Sequence, residues 1–116
     1  MKADPDTVLK ALANPVRRRI FQEVARRRYA RPCSIMGAVG ISDRSLLSHE
    51  LDVLEEAGLI GRLRLDRGIT ILYPKVKRVT VTVGGKTSVT LVPEEELDGS
   101  EMVEQAVRLL WRVRRR

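Results

Sequence analysis

The stretch from Gly40 to Ile60, GISDRSLLSHELDVLEEAGLI, constrains this chain more than any other. It contains a helix start, an apolar stripe and a helix stop in the order a single helix requires. Ser42 or Asp43 can place a side-chain oxygen over the orphan amides of a first turn. Leu47, Leu51 and Leu54 recur at helical spacing and make one buried face. Gly58 supplies a left-handed residue to end the helix. The opposite face carries Arg44, Ser45, Ser48, His49 and Asp52. Those side chains are short or rich in hydrogen-bonding groups, and the spacing predicts a helix over about 43–57 that can present them to a groove.

The residues before it predict three further helices. Asp6 or Thr7 can cap a short one through Val8, Leu9, Leu12 and Ala13. Asn14-Pro15 then breaks the pattern, and Pro15 suits the first turn of the next helix. That helix is expected to run to about Arg28, burying Val16, Ile20, Phe21 and Val24. Its other face would show Arg17, Arg18, Arg19, Arg26, Arg27 and Arg28. Pro32 to Val39 reads as a third helix, with Ile35, Met36 and Val39 inward and Gly40 closing it. The turn leading to the next helix is only a few residues long, as in a helix-turn-helix.

After Gly58 the period becomes alternating. Leu63 and Leu65 are expected on one side of a strand and Arg62 and Arg64 on the other. Asp66-Arg67-Gly68 turns the chain, and Ile69, Ile71 and Tyr73 return on the inner face. A second hairpin follows from about Val76 to Val92, with Val79, Val81 and Val83 alternating with Thr80 and Thr82. A two-residue turn at Gly84-Gly85 would set Val81 opposite Ser88. A three-residue connection through Lys86 sets Val81 opposite Val89 and Val79 opposite Leu91, and matching apolar faces favours it. Pro93 to Gly99 reads as an acidic linker. Asp98 and Glu101 open a capping-box-like start to a last helix, with Val103, Ala106 or Val107, Leu110 and Val113 as a stripe beside Trp111.

Net charge is +7 over 116 residues, which favours a polyanionic partner over a neutral small substrate. The cations are mostly Arg, whose planar fork matches phosphates and guanine edges; an Arg-rich, thermophilic or G+C-rich source would give the same bias. With only 3% aromatic residues, the core is expected to be aliphatic and modest, so help from a second subunit fits. The lone Cys33 cannot form an internal disulfide, which points to a reducing, cytoplasmic setting. It is expected to be a small buried residue. No apolar run reaches membrane-spanning length, and no signal-peptide core opens the sequence. One His, one Cys, no phosphate-cradling glycine loop and no spaced carboxylate pair leave no catalytic constellation, so neither an enzyme nor a cofactor is expected.

Two segments have a family look. Leu9 to Ile20, LKALANPVRRRI, resembles the opening of the arsenic-repressor (ArsR) family, where a short helix leads into an Ala-Asp/Asn-Pro-x-Arg segment. Leu51 to Ile60, LDVLEEAGLI, is similar to the end of that family's recognition helix. With the first hairpin the resemblance covers about the first two-thirds of the chain. It implies a dimeric winged-helix transcription regulator, usually a repressor released by an effector. The family's metal sensors often carry a Cys-x-Cys pair at the third helix; here Cys33 matches the second position and Arg31 stands at the first. The last helix has no His, so the family's metal sites are not expected here.

The reading is therefore a mainly α chain with a small β-wing (α+β): a winged helix-turn-helix over 1–75, an additional β-hairpin over 76–92, and an acidic linker with a C-terminal dimerisation helix over 93–116. Arg44, Ser45, Ser48 and His49 are the candidates for direct base contact, and Arg62, Arg64, Arg67 and Arg17 for phosphate or minor-groove contact. Leu9, Val103, Val107, Leu110 and Trp111 are the candidates for a homodimer interface. The expected partner is double-stranded DNA, with no membrane, no metal and an unidentified effector. The alternatives are a winged-helix protein-interaction adaptor and a non-specific architectural DNA-binding protein.

Overall fold

The computed structural model describes residues 4–65, 68–94 and 108. Over 4–65 and 68–94 it is an α+β fold of four helices and four strands, the strands forming two antiparallel pairs. The helices are α1 (Pro5–Ala13), α2 (Pro15–Arg27), α3 (Pro32–Val39) and α4 (Arg44–Glu56). The strands are β1 (Ile60–Leu65), β2 (Ile69–Pro74), β3 (Val76–Val83) and β4 (Thr87–Pro93). The turn residues Asp66 and Arg67 lie outside the described residues. So does the expected last helix apart from Arg108, which is helical and exposed.

Local chemistry sets the helix ends. α1, α2 and α3 each begin with proline, whose missing N–H falls where no intrahelical bond is needed. α1 starts earlier than Asp6 or Thr7 would place it: Pro5 fixes the backbone and Asp4 is the cap residue. Asn14 closes α1 and opens α2, its side-chain oxygen accepting from the amides of Val16 at 2.9 Å and Arg17 at 3.1 Å. Asp43 does the same for Ser45 and Leu46 at the start of α4. Gly40 (φ 75°) ends α3, and the amides of Gly40 and Ile41 both donate to the Met36 carbonyl. Arg28 ends α2 with φ 67°, a left-handed position held by a side chain other than glycine.

One aliphatic core joins these elements. Ile20 and Val24 of α2, Ile35 of α3, Leu47, Leu51 and Leu54 of α4, and Leu59, Ile60 and Leu72 of the first hairpin are all buried in it, with Val8 and Ala11 of α1. Val16 is an exception to expectation. It is 40% exposed, although Ile20, one turn further along α2, is fully buried. Ala30 exchanges both backbone hydrogen bonds with Leu72, at 3.0 and 2.7 Å. This single-residue bridge pairs the open edge of β2 with the α2–α3 connection and anchors the hairpin to the helices.

The first hairpin pairs Ile60 with Pro74 through to Leu65 with Ile69. Gly61 faces Tyr73, whose ring lies over the glycine and would collide with a Cβ there. The second hairpin has the register expected of the three-residue connection, with Val81 opposite Val89 and Val79 opposite Leu91. A bulge between Val76 and Arg78 shifts the phase of β3. It lets Val76 face the core while Val79, three residues on, also turns inward. Val89 and Leu91 belong to the same core as the helices and are 2% exposed. Towards the tip, Val81 and Val83 are exposed. The expected acidic linker begins later than Pro93, which closes β4, and Glu94 is not a free solvated charge. Its amide donates to the Lys75 carbonyl at 2.9 Å and its carboxylate lies 3.7 Å from Arg28.

The Gly61–Tyr73 contact gives a direct test. Gly61→Ala should lower unfolding free energy by about 1–3 kcal/mol, the usual range for overpacking. Adding Tyr73→Ala should make the two losses clearly non-additive in a urea-denaturation double-mutant cycle.

Candidate nucleic-acid interface

α4 sets the geometry of the surface. Its inward arc is Leu47, Glu50, Leu51 and Leu54, and a period of 3.6 residues then fixes what faces out. Arg44, Ser45, Ser48, His49 and Asp52 are all exposed, as the sequence predicts. Leu46 joins them at 45% exposure. Reading from leucines alone misses it. Its place between Ser45 and His49, away from the Leu47-Leu51-Leu54 arc, is the signal that could have found it. Such an apolar group beside polar ones can meet a thymine methyl.

Glu50 is the one buried charged residue among the described residues, at 6% exposure. Its Oε2 lies 3.3 Å from Nε of Arg17 on α2, a close charge contact without the alignment of a good hydrogen bond. Arg17 is thereby corrected: its side chain is only 16% exposed and is occupied by Glu50, so it ties α2 to α4 and does not offer a free cation. Arg18 is exposed and donates to the Leu12 carbonyl at 2.9 Å, covering the end of α1. Farther along α2, hydrogen bonds from Arg26 and then Arg27 hold the Glu23 carboxyl below its ordinary range. Those two arginines are partly neutralised in turn.

Arg62 is the second correction. Strand alternation predicts it outward, but its side chain is 10% exposed and contacts Asp52 and Glu55, one turn apart on α4. Arg62 pairs with Leu72 and so shares with Ile60 and Leu72 the face of the hairpin that packs on the helices. Leu63 and Ile71, expected inward, lie on the other face. Arg62 is a strut between hairpin and helix, its stem packed and its charge answered twice. Arg64, two residues on, is exposed as expected. Arg67 lies outside the described residues, and so do Val103, Val107, Leu110 and Trp111. Leu9 is half-buried and packs against the core.

Three of the arginines without an ion pair converge. Arg44 and Ser48 of α4, Arg64 and Thr70 of the first hairpin, and Arg31 before α3 line one groove of about 310 Å³. Arg31, at the cap position of α3, was not singled out from sequence; its place between Ala30 and Pro32 gave no pattern to read. Cys33 also lines this groove and is exposed, not buried as expected. At the second position of α3 it lies on the solvent side, while Ile35 and Val39 take the core.

Among the described residues, no group of three or more His, Cys, Asp or Glu side chains could hold a metal ion. Nor is any helix among them long and apolar enough to cross a membrane. Comparison of the sequence with protein-family models gives no match. Comparison with curated proteins gives no significant match.

The two internal ion pairs predict different losses. Glu50→Ala leaves Arg17 largely buried without its counter-charge and should cost about 2–4 kcal/mol in urea denaturation, somewhat under the range for a fully buried pair. Arg62→Ala should cost about 1–2 kcal/mol, mostly lost packing, since Asp52 and Glu55 are solvent-exposed.

Proposed function

We propose that this protein is a winged helix-turn-helix regulator of the ArsR type that binds double-stranded DNA as a homodimer. α3 and α4 are the helix-turn-helix, α4 the recognition helix, and the first hairpin the wing. One observation carries the reading: the helix and the hairpin aim their free polar and cationic groups at a common groove, with Arg44 and Ser48 from one and Arg64 and Thr70 from the other. The Ala30–Leu72 bridge supports it further, since a short strand between α2 and α3 completes a three-stranded wing base. In this reading α4 enters the major groove, with Arg44, Ser45, Leu46, Ser48 and His49 at base edges. Arg64 and Arg67 reach the flanking backbone.

The homodimer draws support from α1 and the C-terminal stripe. Leu9 and Leu12 are only half-buried on α1, and Val103, Val107, Leu110 and Trp111 form a stripe in sequence. Two copies would present two recognition helices to half-sites about one helical turn apart. The activity is regulatory, not enzymatic, and belongs in a reducing cytoplasm.

Selection of bound duplexes from a random library, followed by footprinting, tests the proposal. A repeated half-site with two-fold symmetry is the expected result. Retention without an enriched sequence would make the protein an architectural coat, and no duplex binding at physiological salt would make it an adaptor for another protein. On the selected site, Arg44→Ala should weaken specific binding by about 1–3 kcal/mol. Arg64→Ala should weaken all sequences alike and reduce the salt slope by about one. Equal, purely salt-dependent losses for both would argue against base readout.

A further inference from the structure

We infer that the groove between α3, α4 and the first hairpin is a binding site for a small aromatic carboxylate or a comparable amphipathic anion. Such a ligand would displace DNA by occupying the recognition surface itself. The displacement rests on the proposed function; the binding site does not.

The floor of the groove is apolar. Pro32 and Met36 of α3 and Leu47 and Leu51 of α4 face into it. The rim is cationic and hydroxylic, with Arg31, Arg44 and Arg64 around Ser48 and Thr70. Among the described residues no acidic side chain lines it. The charge of the fourth arginine, Arg62, is already answered by Asp52 and Glu55. The other three form no ion pair among the described residues, so positive charge is left uncompensated around a concave apolar surface.

Charge complementarity selects the occupant. A bare phosphate would satisfy the rim and leave the floor wet, as would a solvated DNA backbone crossing the mouth. A neutral apolar molecule would fill the floor and leave three guanidinium groups unanswered. A planar ring bearing a carboxylate meets both demands, because Arg can take the carboxylate with its fork and lie against the ring with its face. The volume of about 310 Å³ suits a ligand of one or two rings. Met36 gives the floor some capacity to adapt to shape. Arg44 and Ser48 are shared with the proposed base contacts, so ligand and DNA exclude each other directly, with no need for a relayed conformational change.

The test uses the full chain without DNA. Naphthoate, naphthamide and inorganic phosphate are each titrated and followed by amide chemical shifts. Naphthoate should saturate at least tenfold more tightly than either comparator, with shifts centred on Arg31 to Met36, Ser48 and Thr70. Arg31→Glu should weaken naphthoate binding at least tenfold. An acidic residue at the start of α3 complements the helix dipole, so folding should survive; Arg31→Gln gives the same direction with a smaller charge change. Arg19→Glu, an equal charge change on an exposed α2 residue outside the groove, should leave binding intact. Phosphate binding as tightly as naphthoate would reduce the groove to a phosphate subsite and overturn the proposal. Equal binding of naphthamide, an equal loss in Arg19→Glu, or no saturation would overturn it too. A final arm adds the selected duplex: naphthoate should raise the apparent Kd for DNA in the parent chain and not in Arg31→Glu. Naphthoate binding with no selectable duplex would sink the regulatory reading alone, and the reverse outcome would sink the ligand site alone.

Discussion

A single turn angle governs the surface of this protein. α4 must bury Leu47, Leu51 and Leu54 to belong to the core at all, and each fully buried leucine contributes about 1.5–3 kcal/mol. The backbone then has no freedom left in what it shows to solvent. Arg44, Ser45, Leu46, Ser48 and His49 do not hold their positions through contacts of their own. They are displayed because the other side of the cylinder is occupied. Glu50 is the one acid drawn into the inward arc, and Arg17 answers it from α2. That contact fixes how far α4 can roll about its axis, and so which residues come uppermost.

The arginines divide by what they touch, and this division is what composition conceals. Arg17 and Arg62 are structural, each closing a gap between two elements. Arg26, Arg27 and Arg28 find carboxylates at the far end of α2. Arg31, Arg44 and Arg64 line the groove without an ion pair among the described residues, while Arg19 and Arg78 are exposed elsewhere. A net charge of +7 says that an anionic partner fits. Only the internal pairing says where the anion would sit.

Periodicity carried much of the architecture. The bounds of α3, the outward face of α4 and the register of the second hairpin were all legible, because each depends on spacing within one segment. What escaped depends on a neighbour distant in sequence. The alternation around Arg62 suggests that the leucines point inward. The face that packs on the helices is instead the one shared by Ile60, Arg62 and Leu72, and only the contact with α4 decides that. Arg17 looks like any member of a basic run until Glu50 is brought beside it. Val16 and Cys33 have the residue types of a core but sit in the first turns of their helices and are exposed there. Ala30 pairs with Leu72 through backbone atoms alone, so no side-chain pattern announces it.

The irregularity in β3 has a consequence for how this chain can vary. The extra residue near Lys77 changes the parity of the strand, so Val76 and Val79 look the same way although an odd number of positions separates them. Removing one residue there would roll the threonine side of the strand onto α1 and turn the valines to water. Insertions and deletions in this arm should therefore be accepted in pairs, one on each side of the Gly84-Gly85 tip, and rejected singly near its root. The arm can change reach without changing which side it presents.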